Sequence, residues 1–231
     1  MERAILMASG LGSRMRPLTD KTPKPLIPVC GKPMIDTVIE GLLGRGVQEI
    51  YVVVGYLKEQ FRALSQKYPC VKIIENPYYE RINNISSVYV ALDVLRGGDC
   101  FVCEADLYVA NADIFKAELR HSCYFGKFVA GHSEDWVFDT NEEGIITRVG
   151  KRGDDCYNMV GIAYLKAHEA VLVADAVEKR FGTANYEQLF WDDVVNENLD
   201  SLQLRVHSVK ENDLVDIDTP SELQEVERRF F

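Results

Sequence analysis

Short apolar runs rich in valine and isoleucine alternate along the first half of the chain with stretches whose apolar residues recur at helical spacing. Residues 4–8, 50–54, 71–75 and 100–105 predict buried strands, and residues 35–43, 58–67 and 86–95 predict the helices between them. Such alternation implies an α/β fold: a Rossmann-like, mainly parallel sheet with helices on both faces. Past residue 120 the spacing tightens. Strands are predicted at 127–131, 137–140, 145–149 and 159–165, with Asn141-Glu142-Glu143-Gly144 as a turn between two of them. Helices return at 167–180 and 186–199, followed by a strand pair at 202–208 and 214–218. Thr219-Pro220-Ser221-Glu222 then opens a terminal helix with a capping box and a proline at its first position. With no internal repeat and no low-complexity segment, residues 1–231 read as a single domain in which 120–165 form a β-rich extension, a lid or a substrate-facing wall.

A hydrophobic content of 47% supports a real core and excludes disorder. The 36 acidic and 26 basic residues leave a net charge of −10 with no long basic run, which argues against nucleic-acid binding through phosphate contacts. Small anions remain acceptable substrates, because a local cationic loop acts against a negative whole. No run approaches the roughly 18 apolar residues of a membrane span, and the N-terminus lacks a signal-peptide layout, so a cytoplasmic protein without membrane insertion is expected. Six cysteines are scattered along the chain. Cys100 and Cys103 form a C-x-x-C inside a strand, where alternation points the thiols to opposite faces; they read as core cysteines.

The segment after the first strand carries the most chemistry. Ala8-Ser9-Gly10-Leu11-Gly12-Ser13-Arg14-Met15-Arg16-Pro17-Leu18-Thr19 is followed by Pro23-Lys24-Pro25-Leu26. Two glycines at the end of a strand let the backbone approach a ligand and turn N–H groups toward it, and Arg14 and Lys24 supply charge for phosphate oxygens. The pattern is neither a Walker A loop nor a Rossmann fingerprint, since Met15 stands where the latter needs its third glycine.

The full string, continuing through Gly31-Lys32-Pro33-Met34-Ile35, resembles the signature of nucleotidyltransferases that activate sugar phosphates and amino-alcohol phosphates. The resemblance implies the nucleotide-diphospho-sugar transferase type of fold, with Arg14 and Lys24 gripping a nucleoside triphosphate and Ala8, Gly10, Leu11 and Gly12 lining its base and ribose. Ser9 stands where relatives more often carry alanine. Further matches are Val54-Gly55-Tyr56-Leu57, Glu75-Asn76-Pro77, Glu104-Ala105-Asp106, Trp136 and Phe190-Trp191-Asp192. Asn83-Asn84-Ile85-Ser86-Ser87 replaces the glycine-rich string of the sugar enzymes and is similar to the bacterial phosphocholine cytidylyltransferase branch. That likeness favours CTP, with Asn84, Ser86 and Ser87 on the nucleotide side.

Asp106 ends an apolar strand at the carboxyl edge of the sheet, where ligands bind in open α/β folds. Asp216 and Asp218, two apart, project from one face of an extended segment. Three hard carboxylates suit Mg²⁺, and no His or Cys cluster suggests zinc. The alternatives are a solvated turn for Asp216 and a helix-capping role for Asp218, and the resemblance leaves open which of the two is the main second ligand.

For the acceptor, Trp136, Phe190 and Trp191 cluster in sequence near acids that include Asp192. Aromatic faces beside carboxylates hold an ammonium or quaternary ammonium by about 0.5–2 kcal/mol per ring. Phe190 and Trp191 also fit as plain core residues of their helix. Lys151 matches a lysine that contacts the acceptor phosphate in sugar-activating relatives, and reads equally well as a surface turn residue. The implied reaction needs no protein nucleophile: an anionic acceptor attacks the α-phosphorus of CTP, with Arg14, Lys24 and Lys151 as catalytic cations and Mg²⁺ as cofactor. Phosphocholine is the first acceptor the resemblance implies, 2-aminoethylphosphonate the second and a sugar 1-phosphate the third; a nucleotide sensor without turnover is the non-enzymatic alternative. Either a monomer or a homodimer is expected, and the four histidines have no part in the reaction.

Overall fold

The computed structural model describes residues 1–230. In chain order its elements are β1 Arg3–Ala8, β2 Pro28–Val29, β3 Lys32–Pro33, α1 Met34–Arg45, β4 Glu49–Val54, α2 Arg62–Lys67, β5 Val71–Glu75, α3 Ile85–Tyr89, α4 Leu92–Leu95, β6 Cys100–Glu104, β7 Leu107–Val109, β8 Cys123–Thr140, β9 Ile146–Leu165, α5 Ala167–Arg180, α6 Trp191–Glu197, β10 Arg205–Ser208, β11 Leu214–Asp216 and α7 Pro220–Phe230. Seven strands form the central sheet in the order β10-β8-β9-β6-β1-β4-β5. The β6-β1-β4-β5 half is parallel, whereas β9 runs antiparallel to both β6 and β8.

Alternation along each strand sorts its residues between two cores. Ala4, Leu6 and Ala8 of β1 pack on one face with Ile35, Val38, Ile39 and Leu42 of α1 and Phe61 and Leu64 around α2. Ile5 faces the other way, into a cluster built by α3, α4, α5 and α6. The predicted helix-covered sheet is therefore present. Cys103 belongs to the first core and Cys100 to the second, so this C-x-x-C cannot close on one metal.

The extension differs from expectation. The four predicted strands are two long ones, β8 and β9, which bend through several bulges as one hairpin and whose inner ends join the central sheet beside β6. Polar and glycine positions such as Gly131 and Gly153 mark bends within strands rather than breaks between them. The helix predicted at 86–95 is split by Ala91, whose φ of −112° and ψ of 16° leave the helical region. The turn before α2, Lys58–Phe61, is 3₁₀. The helix predicted at 186–199 is regular only from Trp191, because the Asp193 carboxylate accepts the Phe190 N–H and the Asn84 side-chain oxygen accepts the Trp191 N–H, fixing the start there. β10 and β11 are shorter than the predicted 202–208 and 214–218. β11 stops at Asp216 because the Glu222 carboxylate takes the Asp218 and Thr219 N–H groups in the capping box that opens α7.

Candidate active site at the carboxyl edge of the sheet

Ser9 to Arg14 leave β1 at the carboxyl edge, the end at which β6 delivers Asp106. Gly12 has φ +60°, and a Cβ built on it would lie 2.9 Å from Thr19 Cγ2 and 3.0 Å from Lys24 Cβ. Only glycine meets both conditions. Thr19 Oγ1 also donates to the Gly12 carbonyl at 2.8 Å, tying the loop to the segment that presents Lys24.

Lys24 is the hub of the site. Its side chain is 8% exposed, and its ammonium contacts Asp106 at 2.8 Å, Asp218 at 2.8 Å and Asp216 at 3.3 Å, while Arg14 reaches the other Asp218 oxygen at 2.9 Å. Topology explains the convergence: β11 pairs antiparallel with β7 so that Asp216 lies opposite Leu107, the residue after Asp106. Burial alone would lower the Lys24 ammonium, but the charges of Asp106 and Asp216 and the hydrogen bonds it donates to Asp106 and Asp218 outweigh it and hold it above its ordinary range. Asp216 is raised, by burial first and then by Asp106 and Asp218 against the pull of Lys24.

The three acids predicted from sequence thus meet around one cation, and that cation is the lysine. Among the described residues no group of three or more acidic, histidine or cysteine side chains has a metal-holding arrangement. The donor set nevertheless fits a hard divalent ion: three carboxylates face the charge of Lys24, with Arg14 on the outer side of Asp218.

The predicted nucleotide residues divide. Leu11 and Arg14 are exposed, as is Gly10, around which a Cβ would find open space. Ser86 and Ser87 are each 1% exposed and are engaged with protein groups: Ser87 Oγ lies 2.8 Å from Ser9 Oγ, Ser86 donates to the Asn83 carbonyl, and Asn76 Nδ2 donates to Ser86 at 2.9 Å. They fasten α3 to the glycine loop. Asn84 spends its side-chain oxygen on the start of α6.

On the acceptor side, Phe190 meets Trp136 edge-on at 5.4 Å, and Lys151, paired with Trp136 across the hairpin, places its ammonium 5.8 Å from the indole centroid. Trp191 is placed differently from Trp136: it is 3% exposed and stacks on Tyr124 at 5.6 Å inside the core, which rules out a solvent-facing aromatic wall at this position. Asp192, 5% exposed, accepts the Tyr124 hydroxyl at 2.9 Å, and burial pushes its carboxyl up to about 7. Sequence reasoning assigned no role to Glu104, Asn76 or Tyr124. Burial, followed by the charges of Asp106, Asp216 and Asp192, pushes Glu104 well above the usual carboxylate range.

A glycine loop after the first strand of a parallel sheet, two cations on that loop and its continuation, and a carboxylate at the end of a neighbouring strand define a nucleotidyltransferase. Residues 4–147 match the MobA-like NTP transferase domain, and the chain belongs to that family. It is 50% identical over 220 residues to a 2-aminoethylphosphonate cytidylyltransferase of Lancefieldella rimae, a match covering 95% of this chain and 89% of the relative. It is 30% identical to the choline-phosphate cytidylyltransferase of Streptococcus pneumoniae over 97% of this chain and 96% of the relative. The solved structure of CTP:phosphocholine cytidylyltransferase from Streptococcus pneumoniae superposes with a TM-score of 0.92 at 30% identity, covering 100% of this chain and 99% of that one. At 18% identity, the inositol-1-phosphate CTP transferase from T. maritima shares the fold with a TM-score of 0.75, over 100% of this chain and 96% of that one. No helix among the described residues is long and apolar enough to cross a membrane.

Proposed function

We propose that this enzyme transfers CMP from CTP to 2-aminoethylphosphonate, releasing pyrophosphate. The observation that carries the acceptor choice is Lys151 over Trp136: the lysine ammonium occupies the aromatic face that a quaternary ammonium would need. The 50% identical relative, named for the same acceptor, supports the reading. Phosphocholine, first in the expectation from sequence, becomes the second reading and is favoured by the Trp136–Phe190 aromatic pair.

In the proposed reaction a phosphonate oxygen attacks the α-phosphorus of CTP in line; one P–O bond forms as the bond to pyrophosphate breaks, and no protein nucleophile intervenes. Arg14 and Lys24 bind the triphosphate and stabilise the leaving pyrophosphate. To do so Lys24 must exchange carboxylate partners for phosphate oxygens, which leaves Asp106, Asp216 and Asp218 without its charge. Those three acids would hold Mg²⁺, which when bound supplies Lewis-acid neutralisation of phosphate charge. Lys151 orients the attacking phosphonate. The glycine loop, anchored through Ser9, Asn76, Ser86 and Ser87, keeps the nucleotide pocket in register with α3.

The test measures pyrophosphate release from each nucleoside triphosphate against 2-aminoethylphosphonate, phosphocholine, phosphoethanolamine and glucose 1-phosphate. CTP with 2-aminoethylphosphonate gives the highest kcat/KM. A higher value with phosphocholine restores the second reading, and no release from any pairing leaves only nucleotide binding.

A further inference from the structure

The chain between α5 and α6 ends in Phe190, half of the aromatic pair on the acceptor side, and much of it faces solvent: Gly182 to Asn185, Glu187 and Gln188 are exposed. Three hydrogen bonds from Asn83 and Asn84, the two residues that lead into α3, reach this stretch and the first residue of α6. The Asn83 N–H donates to the Glu187 carbonyl at 2.8 Å, the Asn83 side-chain amide donates to the Gln188 carbonyl at 3.3 Å, and Asn84 Oδ1 accepts the Trp191 N–H at 2.9 Å. Asn83 Oδ1 also takes the Asn84 N–H at 2.8 Å, which holds the two asparagines in register with each other.

The Asn84 bond falls where it controls Phe190. The Asp193 carboxylate accepts the Phe190 N–H at 2.8 Å and the Phe190 carbonyl accepts the Asp193 N–H at 3.1 Å, but both bonds lie within the first turn of α6 and travel with it. The Trp191 N–H is one of the donors that a helix start leaves without an intrahelical partner, and its residue is 3% exposed. Asn84 supplies the partner from 107 residues away, tying the entry of α6 to α3. Through Ser87, α3 is in turn fastened to Ser9 beside the glycine loop. The body of α6 has a separate anchor, since Val194 and Val195 are buried in the core. Without the Asn84 oxygen a buried donor is left unpaired, which favours movement of the helix entry toward another partner. That movement displaces the Phe190 backbone and with it the ring that meets Trp136 edge-on at 5.4 Å.

We propose that Asn84 is a positioning residue for the acceptor: through the Trp191 N–H it sets Phe190 against Trp136, so an asparagine that the sequence places beside the nucleotide serves the other substrate. This rests on the reading given above, in which Trp136 and Phe190 belong to the acceptor side.

The experiment compares Asn84→Ala with Asn84→Asp, which keeps an oxygen for the Trp191 N–H. Asn84→Ala raises the acceptor KM at least tenfold, measured with 2-aminoethylphosphonate or with phosphocholine if that is the acceptor turned over, while kcat and the KM for CTP stay within threefold of wild type. Asn84→Asp keeps all three within threefold. In a Trp136→Ala background Asn84→Ala adds less than twofold to the acceptor KM, because the contact through which it acts is already gone. An equal or larger rise in the KM for CTP overturns the proposal, as do failure of Asn84→Asp to restore the acceptor KM and full additivity with Trp136→Ala. A second readout needs no acceptor. The protein has two tryptophans, and the indole N–H resonance of Trp136, assigned by its loss in Trp136→Phe, senses the ring of Phe190. It shifts in Asn84→Ala and returns in Asn84→Asp; an unmoved resonance overturns the proposal. A resonance that shifts and returns in an enzyme that turns over no acceptor leaves the positioning standing and overturns the acceptor reading. Amide exchange in the wild type decides the matter where Asn84→Ala does not fold: the Trp191 N–H is protected at least 100-fold, and an unprotected Trp191 N–H overturns the proposal.

Discussion

Asp192 gives a stability prediction that can be worked through from its surroundings. Its carboxyl is held at about 7 in the folded protein, by burial first, with the Tyr124 hydrogen bond pulling the other way. In the unfolded chain it titrates near 3.8. Between those values the folded state keeps a proton that the unfolded state has released, so stability falls as pH rises through this window and the full penalty is present above pH 7. The gap of about three pH units corresponds to an upper bound of about 4 kcal/mol at about 1.4 kcal/mol per unit. Asp192→Asn removes the charge and keeps an oxygen that accepts the Tyr124 hydroxyl. The variant should therefore match the wild type near pH 4 and exceed it by up to about 4 kcal/mol at pH 8. Urea unfolding at pH 4, 5, 6, 7 and 8 measures this, read as the midpoint difference at constant m-value. A difference that stays flat with pH, or a variant less stable at pH 8, would refute the reasoning.

Asp106→Asn should abolish turnover while circular dichroism and the unfolding midpoint remain near wild type; activity at the wild-type level at matched Mg²⁺ removes the metal assignment. Lys24→Ala should raise the KM for CTP and lower kcat together, at least tenfold each, because the lysine serves both binding and the leaving group; steady-state kinetics at varied CTP checks it, and an effect on the acceptor KM alone contradicts it. Gly12→Ala should cost about 1–2 kcal/mol through its left-handed backbone and its crowding against Thr19, whereas Gly10→Ala, with open space around it, should leave the unfolding midpoint unchanged. Trp136→Ala should raise the acceptor KM far more than the CTP KM, and equal effects on both place the indole outside the acceptor pocket.

Periodicity reveals the parallel half of the sheet because its inner strands β1, β4 and β6 are largely buried and its strands alternate with amphipathic or apolar helices. β1, β4, β5 and β6 begin and end within one residue of the apolar runs that predict them. The hairpin was read as four pieces because exposed stretches such as Ala130-Gly131-His132 interrupt its apolar pattern, although backbone pairing with the opposite strand carries through the bulges. The start of α6 was missed for a related reason. Its boundary depends on Asn84, more than a hundred residues earlier, and no local propensity carries that information.

The candidate site divides along the same physical line. Arg14, Lys24, Asp106, Asp216 and Asp218 stood out because their chemistry is concentrated in short strings, and the β7–β11 pairing brings those strings together. Ser86 and Ser87 show the opposite case. Polar residues at the start of a helix beside a nucleotide loop look like ligand contacts, yet both are consumed by Asn76 and Ser9, so that the extra hydroxyl of Ser9, minor in the sequence, becomes one of the fastenings that hold the glycine loop against α3.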